Sequence, residues 1–432
     1  MKKRFIFILC GLFLCAGTIA ATDYNVLQLG VVGDGKTLNT QSLQSAIDAL
    51  HAKGGGQLYF PAGRYLTGSL QLKSNVTLYL EKEAMLLGST SPYDYPGFST
   101  EKELKVNNDH FDQALIYAEE AENIGITGEG CIDGQGRELA LTIDSLHHTG
   151  ELVDKHYNTY RKRPNTRPKL LFMRNCRKVE LRKTNFRSGA AWGLSFSLCV
   201  DLTIDSLHVE NRAYWNNDGI DISDCKDVRI SNCFINSADD GICLKSHNRG
   251  AWNDRVSISN CHIISSASAI KFGTESLGGF KNVTIDNIRI KDTFRSAIAI
   301  ESVDGAEIEN VKLENIEIVC PGRATRGMAY MSVSRLKDVP ENEKGYPEFT
   351  MFEELPSWGF YVRHVKGIQM RNVKLRLQED DFRPAFVFDR VSDVRLSDIS
   401  LPENKKAGQV VLRQTSLQSA DNAVKEYVRE VE

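Results

Sequence analysis

The chain has 432 residues, enough for a large core or two domains, with 41% hydrophobic and 25% charged residues. Its formal net charge is −3. The mature part is more acidic still once the basic start is set aside, which argues against a nucleic-acid binder.

Residues 1–20 read as a secretory signal peptide. Met1-Lys2-Lys3-Arg4 is basic, Phe5 to Ala16 is apolar, and Thr18-Ile19-Ala20 ends in small residues. Cleavage is expected after Ala20 or Ala21, with export to the periplasm or medium. Cys15 follows Leu14, which does not suit a lipid anchor. No later stretch is long and apolar enough to span a membrane. The mature cysteines are Cys131, Cys176, Cys199, Cys225, Cys233, Cys243, Cys261 and Cys320. Export permits disulfides, but no Cys-x-x-Cys pair suggests zinc, and the thiols read as core residues.

Tyr24 to Leu29 is expected as a short strand. Gly30-Val31-Val32-Gly33-Asp34-Gly35-Lys36-Thr37 then matches the phosphate-loop pattern formally. The match reads as accidental, because no alternating strand–helix pattern follows it. Thr40 to Ala52 is helical, with Leu43, Ala46, Ile47 and Leu50 on one face, and Gly54-Gly55-Gly56 ends it. Strands follow at 57–60, 68–72 and 76–80. One early helix before a long run of strands suggests a cap over an open sheet edge.

From Val179 the chain repeats itself. Val179-Glu180-Leu181, Leu202-Thr203-Ile204, Val228-Arg229-Ile230, Val256-Ser257-Ile258, Val283-Thr284-Ile285 and Ala306-Glu307-Ile308 recur at steps of about 23 to 28 residues. Ile368-Gln369-Met370 and Val394-Arg395-Leu396 continue the series after a charged, irregular insertion at 320–358. Asn232, Asn260, Asn287, Asn310 and Asn372 hold one offset, as stacked amide ladders do. Short strands at this period without helices between them predict an all-β, single-domain parallel β-helix over residues 21–415. Residues 416–432 read as a terminal helix or tail.

Two turns share one grammar. Asn216-Asn217-Asp218-Gly219-Ile220-Asp221 is followed about one coil later by Ala238-Asp239-Asp240-Gly241-Ile242. Coiling brings Asp218, Asp239 and Asp240 to one patch, and convergent carboxylates suit acid/base chemistry. At period two Ile220, Ile242, Ile270 and Ile298 point inward, while Asp221, Cys243, Lys245, Lys271, Ala299 and Glu301 point outward. That outward face is either solvated surface or a substrate groove. The adjacent carboxylates favour the groove. Trp192, Tyr214 and Trp215 suit either sugar stacking or packing. His247 and Arg249 lie in the loop after the second site strand, and His364 beside a later strand. Arg161, Lys162, Arg163, Arg167 and Lys169 either flank a groove or form an exposed loop.

These residues resemble the polygalacturonase-type pectin hydrolases, glycoside hydrolase family 28. Asn216-Asn217-Asp218 matches the family's Asn-x-Asp, and Asp239-Asp240 its Asp-Asp. Gly33 to Thr37, Phe60-Pro61-Ala62-Gly63, Leu70 to Leu80 and Ala191-Trp192-Gly193-Leu194 are also similar. The resemblance implies a right-handed parallel β-helix and an inverting hydrolase acting on pectic glycan. Asp239 would be the general acid, with Asp218 and Asp240 activating water. Asn216, Lys271, Glu301, His247 and Trp192 are the expected substrate-binding residues, with no metal or organic cofactor. Two motifs depart from the family. Ala267-Ser268-Ala269 stands for Gly-His-Gly, and Ala299-Ile300-Glu301 for Arg-Ile-Lys. Either Lys271 supplies a displaced cation, or the sugar bound there is neutral, as in rhamnogalacturonan or a branched pectin. A non-catalytic glycan-binding β-helix and a calcium-dependent lyase are the alternatives from other classes.

Overall fold

The computed structural model describes residues 22–95, 113–323, 333–342, 355–402 and 408–432. The expected signal peptide lies outside them. Among the described residues no helix is long and apolar enough to cross a membrane.

The strands coil into a right-handed parallel β-helix, the hand favoured for parallel crossovers. Successive coils superpose residue on residue. In the sheet that carries the site, Leu194 pairs with Ile220, Ile220 with Ile242, Ile242 with Ile270, Ile270 with Ile298 and Ile298 with Phe360. These side chains are fully buried and stack along the axis. Each contributes about 1.5–3 kcal/mol by leaving water. Phe360 and Phe386 stack with ring centroids 4.8 Å apart, about the rise of one coil.

At the near end, helix α1 (Thr40–Ala52) buries Leu43, Ala46, Ile47 and Leu50, as its spacing predicts. The expected strand 24–29 divides. Thr22–Asn25 pairs with the strand Gly56–Phe60, and Val26–Leu29 forms a 3-10 turn. The Asn25 side chain caps that turn, and Gly30 closes it at φ 77°. The run that resembles a phosphate loop is a turn tied by Asp34. Its Oδ1 accepts from the Lys36 and Thr37 amides, each at 2.8 Å. A second helix, α2 (Gly136–Thr149), escaped the sequence reading although Leu139 and Ile143 are buried at helical spacing.

The asparagine columns differ from expectation in one member. Val283 pairs with Val311, not with Ala306, so Asn315 rather than Asn310 follows Asn287 in register. Asn310 belongs to a second column, where it donates to Asn282 at 2.7 Å and Asn282 to Asp254 at 2.8 Å. In the first column Asn287 donates to Asn260 at 2.8 Å and Asn260 to Asn232 at 3.3 Å. All of these asparagines sit at φ 51–57°. The turn demands left-handed backbone, which Asn tolerates better than most residues.

The stretch 416–432 is not a plain tail. Leu417–Ala420 and Val428–Val431 are strands that add to the two sheets. The described part of the insertion covers the outer face of the late coils. Leu336, Val339 and Leu355 pack there on Ala299, Tyr361, Val387 and Val411. Glu341 fastens it, accepting from Arg363 and from His364 Nε2 at 2.9 Å.

Asn287→Gly should cost about 1 kcal/mol, the amide bond alone. Asn287→Ala should cost about 1 kcal/mol more, because Ala resists left-handed backbone. Urea unfolding of both variants checks the order.

Candidate active site

Three carboxylates stand in the turns that enter successive strands, Ile220–Ser223 and Ile242–Ser246. The backbone ladder runs on through those turns. Gly193 N donates to Asp218 O at 3.0 Å, Gly219 N to Asp240 O at 2.9 Å, and Gly241 N to Ser268 O at 2.9 Å. Asp218, Asp240 and Ser268 are therefore equivalent places in three coils, with backbones about 4.8 Å apart. The glycine after each acid follows from this close stacking. A Cβ on Gly219 would lie 2.5 Å from the Gly241 carbonyl oxygen, and one on Gly241 the same distance from that of Ala269.

Two buried asparagines shape the first turn. Asn211 donates to Asp218 O at 2.7 Å and accepts from Gly189 N at 2.8 Å. Asn217 donates to Gly189 O at 2.9 Å and Ala191 O at 2.7 Å, and accepts from Tyr214 N. The second turn is held by Ser237 and Ser265, whose hydroxyls donate to Asp239 O at 2.8 and 2.6 Å.

The outward charges are not solvated, contrary to one of the two expectations for that face. Asp221, Cys243, Lys245, Lys271 and Glu301 point away from the core yet are all buried. Lys245, Lys271 and Arg295 each come from a later coil than the acid they pair with. Lys245 Nζ lies 3.6 Å from Asp218 and 3.4 Å from Asp221. Lys271 Nζ lies 3.4 Å from Asp240. Arg295, from the turn before the strand Ile298–Glu301, lies 3.6 Å from Asp239 and 3.9 Å from Asp240. Ser268 N also donates to Asp240 at 3.2 Å.

This network separates the three acids. Burial, then the Asp221 and Asp239 charges, pushes the Asp218 carboxyl well above its usual value. Burial and the Asp240 charge raise Asp239. Burial also acts to raise Asp240, but Lys271 and Arg295 outweigh it and hold that carboxyl below its usual value. Asp239 is the accessible member, its side chain 24% exposed against 5% for Asp240.

The other expected residues are distributed unevenly. Trp192 is at the site: the Lys245 and Lys169 ammoniums lie 4.7 and 4.8 Å from its ring centroid. Asn216 accepts from Arg163 at 2.5 Å and from Arg167 at 3.0 Å. Those arginines and Lys169 are buried, so the basic stretch is not simply an exposed loop. Arg167 also donates to the Ala190 and Trp215 carbonyls, each at 2.6 Å. Lys271 is at the site but engaged by Asp240. His247 follows the far end of its strand, roughly 23 Å from Asp240 along the chain, and meets Glu275 at 2.5 Å. Glu301 is buried, and neither of its oxygens has a hydrogen-bond partner among the described residues. Arg295 escaped the sequence reading, since it stands in a turn two coils from its partners with no motif around it. The repeat register, extended one coil further, carries the signal.

Burial pushes the Glu301 pKa up to about 7. The native state then keeps a proton that the unfolded chain releases from about pH 4.5. Stability falls as pH rises through that window. Glu301→Gln should remove the fall. It should match the wild type at pH 4 and exceed it at pH 8 by up to roughly 3 kcal/mol, as denaturant unfolding at both values will read.

Comparison with known proteins identifies the family of the chain. The model of the glycosyl hydrolases family 28 matches residues 56–320, more than half of the chain. A probable polygalacturonase of Vitis vinifera is 30% identical over 311 residues, 67% of this chain and 57% of the relative. An exo-poly-alpha-D-galacturonosidase of Dickeya chrysanthemi is 27% identical over 248 residues, 50% of this chain and 41% of the relative. The chain thus spans less than two thirds of the length of either. The solved family 28 exopolygalacturonase of Yersinia enterocolitica shares the fold, with TM-score 0.62 and 22% identity over 95% of this chain and 77% of that one. By the family model, this chain belongs to the glycosyl hydrolases family 28.

Proposed function

We propose that the chain is an exported, inverting glycoside hydrolase that cleaves α-galacturonosyl linkages in pectic polysaccharide or oligosaccharide. One observation carries the reading: two adjacent carboxyls stand in opposite surroundings, one at the open edge and one enclosed with Lys271. Asp239 is raised and accessible, while Asp240 beside it is lowered and buried. A proton donor and a proton acceptor are what hydrolysis with inversion requires. The names of the family relatives support the substrate class.

In this mechanism Asp239 protonates the leaving glycosidic oxygen. Asp240, kept ionised by Lys271 and Arg295, takes a proton from water as that water attacks the anomeric carbon from the opposite face. Asp218 holds the same water by a hydrogen bond. Inverting enzymes place acid and base roughly 6.5–9.5 Å apart to seat that water. Trp192 offers a ring face at the edge of the site, next to two cations.

Glu301 favours a second reading, in which one subsite takes a neutral sugar, as in rhamnogalacturonan or a branched pectin. The resemblance expects a cation at this place, and the buried acid supplies none. Turnover of defined oligogalacturonides against rhamnogalacturonan fragments separates the two readings. If the wild type releases no reducing sugar from either, the glycan-binding reading replaces both.

Asp239→Asn should lower kcat by about 10³-fold with the fold intact by circular dichroism. The wild-type rate should be bell-shaped in pH. It should fall at low pH as Asp240 gains a proton, and at high pH as Asp239 loses one, the upper limb lying above the usual carboxylate range. Reducing-sugar release and the anomer first formed, read by NMR, check both points.

A further inference from the structure

We propose that Trp215 is a sugar-stacking residue of an outer subsite, where its ring takes the C–H face of a pyranose in the same glycan chain that Asp239 cuts. The inference rests on the hydrolase reading above and extends the site beyond the cleavage point.

The ring shares its turn with one of the acids. Trp215 precedes Asp218 by three residues in the turn that enters the strand Ile220–Ser223, so at most about 10 Å of backbone separates them. That turn is closed by Asn217, which accepts from the Tyr214 amide and donates to Gly189 O and Ala191 O. The Trp215 carbonyl accepts from Arg167 at 2.6 Å, and the Asn216 side chain after it accepts from Arg163 and Arg167. The backbone on both sides of the ring is therefore fixed.

The segment behind the ring is built around Asp154. Its carboxylate accepts from the His156, Asn165 and Thr166 amides at 2.8–2.9 Å and from Thr166 Oγ1 at 2.6 Å. Asn158 and Arg163 pair as a tight hairpin, each amide donating to the other's carbonyl at 2.9 and 3.2 Å. The hairpin sets the Arg163 and Arg161 guanidiniums 5.2 and 5.8 Å from the Trp215 ring centroid. Burial here runs against the usual order. Asp154, Arg163 and Arg167 are only 2–6% exposed, whereas Trp215 is 49% exposed with both guanidinium contacts in place. Burying charged groups is costly, and leaving an indole in water forgoes hydrophobic stabilisation. A segment that does both holds an aromatic surface ready for a ligand. A pyranose suits that surface. The C–H bonds on one face of the sugar pack flat on an indole, and a ring already fixed in place loses little freedom on binding. That face is the same whether the sugar's carboxyl is free or esterified, so this subsite reads the ring and not its charge.

The test uses the Asp239→Asn protein, whose turnover is blocked, and measures binding of oligogalacturonides of increasing length by calorimetry, with and without Trp215→Ala. The expected result is a step. Affinity rises once the oligomer is long enough to reach the ring. Beyond that length Trp215→Ala lowers it by about 10-fold, and the loss is absent from shorter oligomers. Trp215→Phe, which keeps a flat ring, retains part of the step. The fully methyl-esterified oligomers show the same step. A loss equal at every length would overturn the proposal, since Trp215 would then only support the turn that carries Asp218. So would no loss at any length, or a loss confined to the free acid, which would assign the effect to the arginines behind the ring. Failure of the hydrolase reading looks different. If the wild type cuts none of these oligomers while the step persists, that reading falls and the subsite stands. If no oligomer binds, both fall.

Discussion

Parallel stacking in register places like upon like, and the rest of the molecule answers that constraint. Where the repeated residue is Ile or Phe, the outcome is a continuous core. Where it is Asn at a left-handed turn, it is a ladder of amides. Where it is Asp, carboxylates are forced to neighbouring places about 4.8 Å apart. Such an arrangement stands only if cations are brought in, and Lys245, Lys271 and Arg295 bring them. The site is thus a local exception to a rule that otherwise stabilises the fold.

Direction and exposure are separate properties in this solenoid. Asp221, Lys245, Lys271 and Glu301 face away from the core, yet each is buried. In that setting a charge interacts strongly with its neighbours and cannot be screened by water. Small differences in partner therefore produce large differences in proton affinity. Asp240 has two cations close by and is lowered. Asp239 lies against Asp240 and is raised. Asp218 shares Lys245 with Asp221 and is raised further.

The sequence displays the coil and its acids more clearly than its cations. Apolar alternation and the recurring Asn mark most turns correctly because they are local signals repeated many times. The Ala306 register failed because Ile308 and Val311 lie in one long strand, Ile308–Cys320, and either fits an apolar alternation. Helix α2 carries Leu139 and Ile143 at helical spacing, a signal overshadowed by the strands around it. The acids are legible from Asp-Gly, and the close approach at Gly219 and Gly241 now gives that pair a steric cause. Arg295 was not legible, since its meaning depends on an acid two coils before it. The cover provided by Leu336, Val339 and Leu355 was equally hidden, because no short-range pattern states what an insertion lies upon.

The order of acids and cations along the chain also gives the molecule a polarity. Among the described residues, the cations paired with the three acids, Lys245, Lys271 and Arg295, lie C-terminal to the acids they serve. A polypeptide emerging from the ribosome delivers its acidic turns first and leaves them mutually repelling until the next coil is laid down. A solenoid that unravels from its C-terminal end undoes this in reverse, shedding guanidinium and ammonium groups while the acids remain. Wear at the late coils would therefore silence the chemistry well before it erased the scaffold.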